Sequence, residues 1–283
     1  MTTAHPAQIA AETVHDQPAS SPVLVLSYAH SGAQRVQDIL ADGTGLACTS
    51  GTGIIPQCAA ASEAWRQVEN RDDHLMSRLA VSTVRGLVTA QITVILVSTG
   101  KASWCELTTA APQALRPFLQ IFPHSAVLCV HRRCPDVIAA MVGASPWGLG
   151  NAALMPYLLS YPGNNVAAIA AYWAKATEDL LAFEKDNPAN TRRIRLEDVI
   201  ADPATSLATV RGWLHLSDSP PPEFPQQADP PQPERHPPLP PADVMAQTIP
   251  PALHQRINGL HAELGYPPLE QAQPSPGGGR VGL

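Results

Sequence analysis

Charge is scarce in this chain: 15% of its 283 residues are Asp, Glu, Lys or Arg, and acids outnumber bases for a net charge of −6. A surface that coats a polyanion needs many clustered cations, so nucleic acid is excluded as a partner and any anion site has to be local. The five cysteines (Cys48, Cys58, Cys105, Cys129, Cys134) are odd in number and form no Cys-x-x-Cys pair. That pattern excludes a disulfide framework and fits a reducing compartment, so a cytoplasmic location is expected. An uninterrupted apolar run of about 18 residues, the length of a bilayer-spanning helix, is missing too. Met1–Ser21 lacks the basic start and apolar stretch of a signal peptide. A soluble protein with no membrane partner is the expectation.

Proline, by contrast, is abundant at 30 residues. From Ser219 to Pro251 it is too dense for regular helix or central strand, and the segment reads as an extended wrap or a lid. Residues 1–20 read as a flexible arm and 269–283, rich in glycine, as a disordered tail. The remaining stretch, 21–268, has the size of one α/β domain.

Inside that stretch, strand and helix patterns alternate. Pro22-Val23-Leu24-Val25-Leu26-Ser27 is a short apolar run of the kind buried on both faces of a parallel sheet. A loop, Tyr28 to Ala33, then leads into helical spacing at Val36, Ile39 and Leu40. Helical pattern runs to Trp65 and again over 74–90, and Gln91–Ser98, dense in β-branched residues, reads as a second strand. A helix over 112–121, a strand over Ala126–Val130, and helices over 136–142 and 166–185 follow. Thr191–Leu196 reads as a strand, and Pro203–Leu214 and 251–264 as helices, the last stopped by Gly265. Such alternation implies right-handed crossovers and an α/β fold: helices on both sides of a central, mostly parallel sheet, a three-layer sandwich.

In such a sheet the ligand crevice lies outside the carboxyl ends of the strands. On this reading those ends are His30-Ser31-Gly32, Gly100-Lys101 and His131-Arg132-Arg133. Together they suit a polyanion: backbone N–H groups and a helix N-terminus from the first loop, and formal charge from Lys101 and Arg132. Each also has a plainer reading, Gly32 as a turn residue, Lys101 as a surface lysine, and the two arginines as partners of Asp136 and Glu197. Gly100-Lys101 is not a Walker loop, because position 95 is isoleucine and 102 is alanine rather than a magnesium-binding hydroxyl. His124, Cys129, His131 and Cys134 lack a second paired-ligand signature, so no metal is expected.

The order of these motifs resembles the PAPS-dependent sulfotransferases, bacterial small-molecule type. Tyr28-Ala29-His30-Ser31-Gly32-Ala33-Gln34 is similar to that family's Pro-Arg/Lys-Ser-Gly-Thr-Thr loop, with His30 at the basic position and Ala33 and Gln34 at the threonines. Lys101 stands where many members carry Lys-Thr-Pro. Phe122 through Met141 resembles the segment that holds the family's 3′-phosphate arginine, here Arg132, with Ala140 at its usual serine partner. Arg195-Leu196-Glu197-Asp198 and Leu264-Gly265-Tyr266 match further stretches, so the likeness spans about residues 22–266.

The resemblance implies a P-loop-like sulfotransferase fold and transfer of a sulfuryl group from the donor co-substrate PAPS, leaving adenosine 3′,5′-bisphosphate (PAP). The acceptor it implies is a small hydroxylated molecule of secondary metabolism. His30 and Lys101 would act on the transferred group, and His30, Ser31, Gly32, Ala33, Gln34, Arg35, Arg132 and Ala140 would hold the donor. Free imidazole titrates at about 6.5, and adjacent phosphates would favour its cation. On this resemblance Arg35 and Arg133 would stand in for the donor groups lost at Ala33, Gln34 and Ala140. Glu106, His131 and Glu63 compete for the general base, and Trp147, Tyr157 and Tyr161 for an apolar acceptor pocket. The same replacements also motivate a second reading, a sulfotransferase-fold protein that binds or partners without catalysis.

Overall fold

Five short strands build one sheet in the computed structural model, which describes residues 21–68, 74–144, 152–216 and 248–269. They are β1 (Val23–Leu26), β2 (Leu46–Ser50), β3 (Ser103–Thr108), β4 (Ala126–His131) and β5 (Thr191–Arg195). Their order across the sheet is β2-β3-β1-β4-β5, and each neighbouring pair is parallel. The connecting helices are α1 (Ala33–Thr44), α2 (Ile54–Val68), α3 (His74–Thr99), α4 (Arg116–Ile121), α5 (Cys134–Ala144), α6 (Met155–Ser160), α7 (Asn165–Asp186), α8 (Leu196–Ala201), α9 (Pro203–Trp213) and α10 (Pro251–Leu264).

Strand alternation sorts the core into two layers. Val23 and Val25 of β1, with Leu128 and Val130 of β4, pack on Val36 and Leu40 of α1, Leu196 and Val199 of α8, and Leu207 and Val210 of α9. Leu24, Leu26, Val127 and Cys129 face the other way, onto a larger layer that includes Val88 and Ile92 of α3, Ile138 of α5, Trp173 of α7 and Ile257 of α10. The three-layer sandwich expected from the sequence is therefore observed, and its sheet is parallel throughout.

One strand assignment is overturned. Gln91–Ser98 is not a strand but the last turns of α3. Its buried or part-buried apolar residues, Ile92, Ile95 and Leu96, continue the helical spacing from Val88, whereas alternation would have covered Val94, which is 68% exposed. Packing has overridden β-propensity here. The strand lies instead at Ser103–Thr108, and β2 pairs beside it. Arg78–Thr99 within α3 is long and apolar enough to cross a bilayer; Arg85 and Gln91 interrupt the apolar run. The arm at 1–20, the proline-rich stretch up to 247, the tail from 270 and Trp147 lie outside the described residues.

Candidate functional site

Two loops at the carboxyl ends of β1 and β4 are bolted together by one phenol. Tyr28 donates its O–H to the Arg132 carbonyl at 3.0 Å and accepts from the Arg132 N–H at 3.0 Å and from Trp173 Nε1 at 3.1 Å. Burial holds that phenol protonated, far above the ordinary tyrosine range. The Ala29 N–H donates to the Tyr172 hydroxyl at 3.1 Å, so α7 fixes the loop from beneath. His30 then takes a left-handed conformation, φ 60°, which His tolerates better than most residues. Its carbonyl accepts from Arg132 Nη1 at 2.9 Å. Gly32, at φ 77°, starts α1, and a Cβ there would stand 2.3 Å from Leu196 Cδ2. Only glycine fits both demands.

The first turn of α1 begins at this loop, with the Arg35 N–H already bonded to the Gly32 carbonyl at 3.0 Å and the partial positive charge of a helix N-terminus behind it. Ser31 is buried, with its Oγ 3.4 Å from the Ala33 N–H, while Gln34 and Arg35 lie exposed on the first turn. Among the described residues no carboxylate lies within ion-pair distance of Arg132, so its charge is available to a ligand anion. Arg133 differs. Its Nε donates to Asp136 at 2.7 Å and its backbone N–H to Glu197 at 2.9 Å, so its charge is paired within the protein. Ala140 sits half-buried on α5 and presents no polar side-chain group.

The Arg195–Asp198 and Leu264–Tyr266 motifs meet behind this turn. Glu197 also accepts from the Tyr266 hydroxyl at 2.9 Å, and Arg195 grips Asp198 and the Gly265 carbonyl. His261 completes the buttress, its ring 5.3 Å from Trp173 and its Nδ1 donating to the Pro267 carbonyl at 2.7 Å. Burial lowers the His261 pKa, against a partial upward pull from that carbonyl. The unfolded chain therefore takes up this proton more readily, so its contribution to stability is whole above about pH 6.5 and drains as pH falls. Melting temperature is expected to fall from pH 7 to 5, and His261→Gln to be less stable at pH 7.5 but flatter across that range. Thermal melts at stepped pH check this; an unchanged slope in the variant would assign the pH dependence to other groups.

Lys101 is a correction. It does not follow a strand; it precedes β3, at the amino end of the sheet. Gly100, at φ 65°, and the Lys101 N–H bonded to the Leu96 carbonyl at 3.2 Å form a helix C-terminal cap closing α3. A strand of six residues separates Lys101 from the carboxyl ends, roughly 20 Å, which is out of reach of the His30 loop. The real carboxyl end of β3 is Thr108, followed by Thr109-Ala110-Ala111-Pro112 with no basic residue.

Beside the Tyr28 loop lies a cavity of about 210 Å³, lined by Ser27 and Tyr28, by Thr109–Pro112, and by Tyr157, Tyr172, Lys175 and Asp179. Of the aromatic candidates, Tyr157 reaches it, edge-on to Tyr172 with ring centres 5.8 Å apart. Tyr161 packs against the core instead. A larger cavity, about 470 Å³ between α2, α3 and α4, does not border the loops after β1 and β4. The candidate bases are all engaged elsewhere. Glu106 is buried and accepts from Thr49 Oγ1 at 2.6 Å, the Thr52 N–H at 3.0 Å and Thr52 Oγ1 at 2.9 Å. His131 is fully buried against Glu184 at 2.7 Å, and Glu63 pairs with Arg66 on α2. Tyr172, Lys175 and Asp179 were not singled out from the sequence, where they register only as positions on a helix.

A family model described as the sulfotransferase family matches residues 22–220. No curated protein is similar to the chain in sequence. Among solved structures, the sulfotransferase domain from the curacin biosynthetic pathway superposes with a TM-score of 0.53 at 16% identity, covering 87% of this chain and 97% of that domain. The sulfotransferase domain of the Synechococcus PCC 7002 olefin synthase gives 0.51 at 15% identity, over 89% and 97%. A sulfotransferase from Alicyclobacillus acidocaldarius gives 0.50 at 10% identity, over the same shares. At these identities the structural likeness carries the fold.

Proposed function

Because the chain belongs to the sulfotransferase family, we propose that it transfers a sulfuryl group from PAPS to a hydroxyl of a small-molecule acceptor. The observation that carries this reading is the junction of the two strand-end loops, where Arg132, unpaired by any described carboxylate, is held on the His30 carbonyl beside the Ser31-Gly32 turn. In this reading the first turn of α1 receives the 5′-phosphosulfate and Arg132 the 3′-phosphate. His30 stands beside the bridging oxygen, whose charge grows as the sulfur–oxygen bond breaks. Catalysis would rest on alignment of an in-line attack and on neutralisation of that charge. Tyr28, Tyr157 and Tyr172 give the adjoining cavity aromatic faces, and its volume suits a compact acceptor.

Two measurements test the proposal. PAP at a hundred times its Kd is expected to add about 2.7 kcal/mol, a rise in Tm of about 5–10 °C for a domain of this size. Label from ³⁵S-PAPS is expected to appear in phenolic or alcoholic acceptors. No thermal shift at saturating PAP would sink the donor assignment. A second reading, binding without transfer, is favoured by the empty complement of basic groups at Thr108–Pro112; PAP binding with no turnover against a broad acceptor panel would establish it.

A further inference from the structure

We infer that Asp179 is the general base for the acceptor hydroxyl and that Lys175 positions it. The assignment rests on the transfer reading above. Both residues line the cavity that Ser27 and Tyr28 share with the donor loop, and Asp179 is its one carboxylate. They sit on the same face of α7 as Tyr172, at spacings of three and seven residues, and Tyr172 is bonded to the loop through Ala29. Lys175 Nζ lies 2.5 Å from Asp179 Oδ1 and holds one carboxylate oxygen, which leaves Oδ2 for an incoming O–H. Neither side chain is sealed in the core: Lys175 is 50% and Asp179 27% exposed. Glu106, His131 and Glu63 offer no comparable group, since each is engaged outside this cavity.

The step balances without any further reactant. A lone pair of the acceptor oxygen forms the new bond to the donor sulfur, and the bond from sulfur to the bridging phosphate oxygen breaks, its electron pair staying on the phosphate. The acceptor proton passes to Asp179, and Lys175 stays charged throughout. A carboxylate is a mild base, so its help matters most for hydroxyls that hold their proton firmly.

That dependence supplies the test. Wild type, Asp179→Asn and Asp179→Glu are assayed with ³⁵S-PAPS at pH 8 on two acceptors, phenol and 4-nitrophenol, the second largely ionised without assistance. Asp179→Asn is expected to lose 10²–10⁴-fold in kcat/KM toward phenol, far less toward 4-nitrophenol, with PAP affinity unchanged and partial recovery in Asp179→Glu. Lys175→Met is expected to follow the same acceptor order with a smaller loss. Equal losses on both acceptors would overturn the base assignment while leaving sulfuryl transfer standing. No turnover by the wild type of either phenol or of the broad acceptor panel, with PAP still bound, would overturn transfer and the base together.

Discussion

Replacing Arg132 with alanine is expected to weaken PAP binding by one to two orders of magnitude while leaving the fold intact. The side chain offers a fully charged donor fork that no described carboxylate neutralises, and hydrogen bonds from such groups are worth about 1.5–3 kcal/mol. The fold should tolerate the change because the contacts that tie the two loops use the Arg132 backbone: its N–H and carbonyl meet the Tyr28 hydroxyl, and its carbonyl also accepts from Trp173 Nε1 at 2.9 Å. Among the described residues the guanidinium contributes only the bond to the His30 carbonyl. Calorimetric titration of PAP into wild type, Arg132→Ala and Arg132→Lys separates charge from fork geometry, with the lysine variant expected in between. Unchanged affinity in the alanine variant would remove Arg132 from the donor site.

Gly32→Ala is expected to destabilise the protein by about 2–5 kcal/mol, the sum of two costs. Holding alanine at φ 77° costs about 1–2 kcal/mol. Its Cβ, 2.3 Å from Leu196 Cδ2, also forces a buried leucine to move, and overpacking of that kind costs about 1–3 kcal/mol. The two are separable by a double-mutant cycle with Leu196→Ala, which removes the collision but not the backbone strain. Urea melts of the four proteins should show a coupling that recovers the collision alone. If the double mutant is no better than additive, the loop relaxes away from Leu196 and the tight packing of turn on α8 is not what demands glycine.

The parts of this fold that were legible in the sequence are those whose residues pack as their pattern says. β1, β4 and β5 and the long amphipathic α7 are of that kind, and so is the Ser31-Gly32 turn with Arg132 opposite. The failures share a physical cause. β3 carries a buried carboxylate, Glu106, in its middle, and the donors that make this tolerable come from β2 and the turn after it. Read alone, Ser103–Thr108 looks too polar for a central position. With the strand missed there, the β-branched run at 91–98 filled the vacancy, and Lys101 was carried to the wrong end of the sheet. The acceptor side was hidden for another reason: Ala29 and Tyr172 touch across 143 residues of sequence, and nothing local to α7 announces which of its faces borders the loop.

The strand order bears on how this chain is made. β1 lies at the centre of the sheet, yet both of its partners come much later: Val23 pairs with Cys105 on one side and with Ala126 on the other. At synthesis rates of about 5–20 residues per second, the Val-Leu-Val-Leu segment leaves the ribosome several seconds before either neighbour exists. Its apolar side chains are then exposed with unpaired backbone on both edges, the condition that invites wrong partners. The growing chain is thus a natural client for factors that shield short hydrophobic stretches, and its yield on expression should respond to translation speed over the first hundred or so codons.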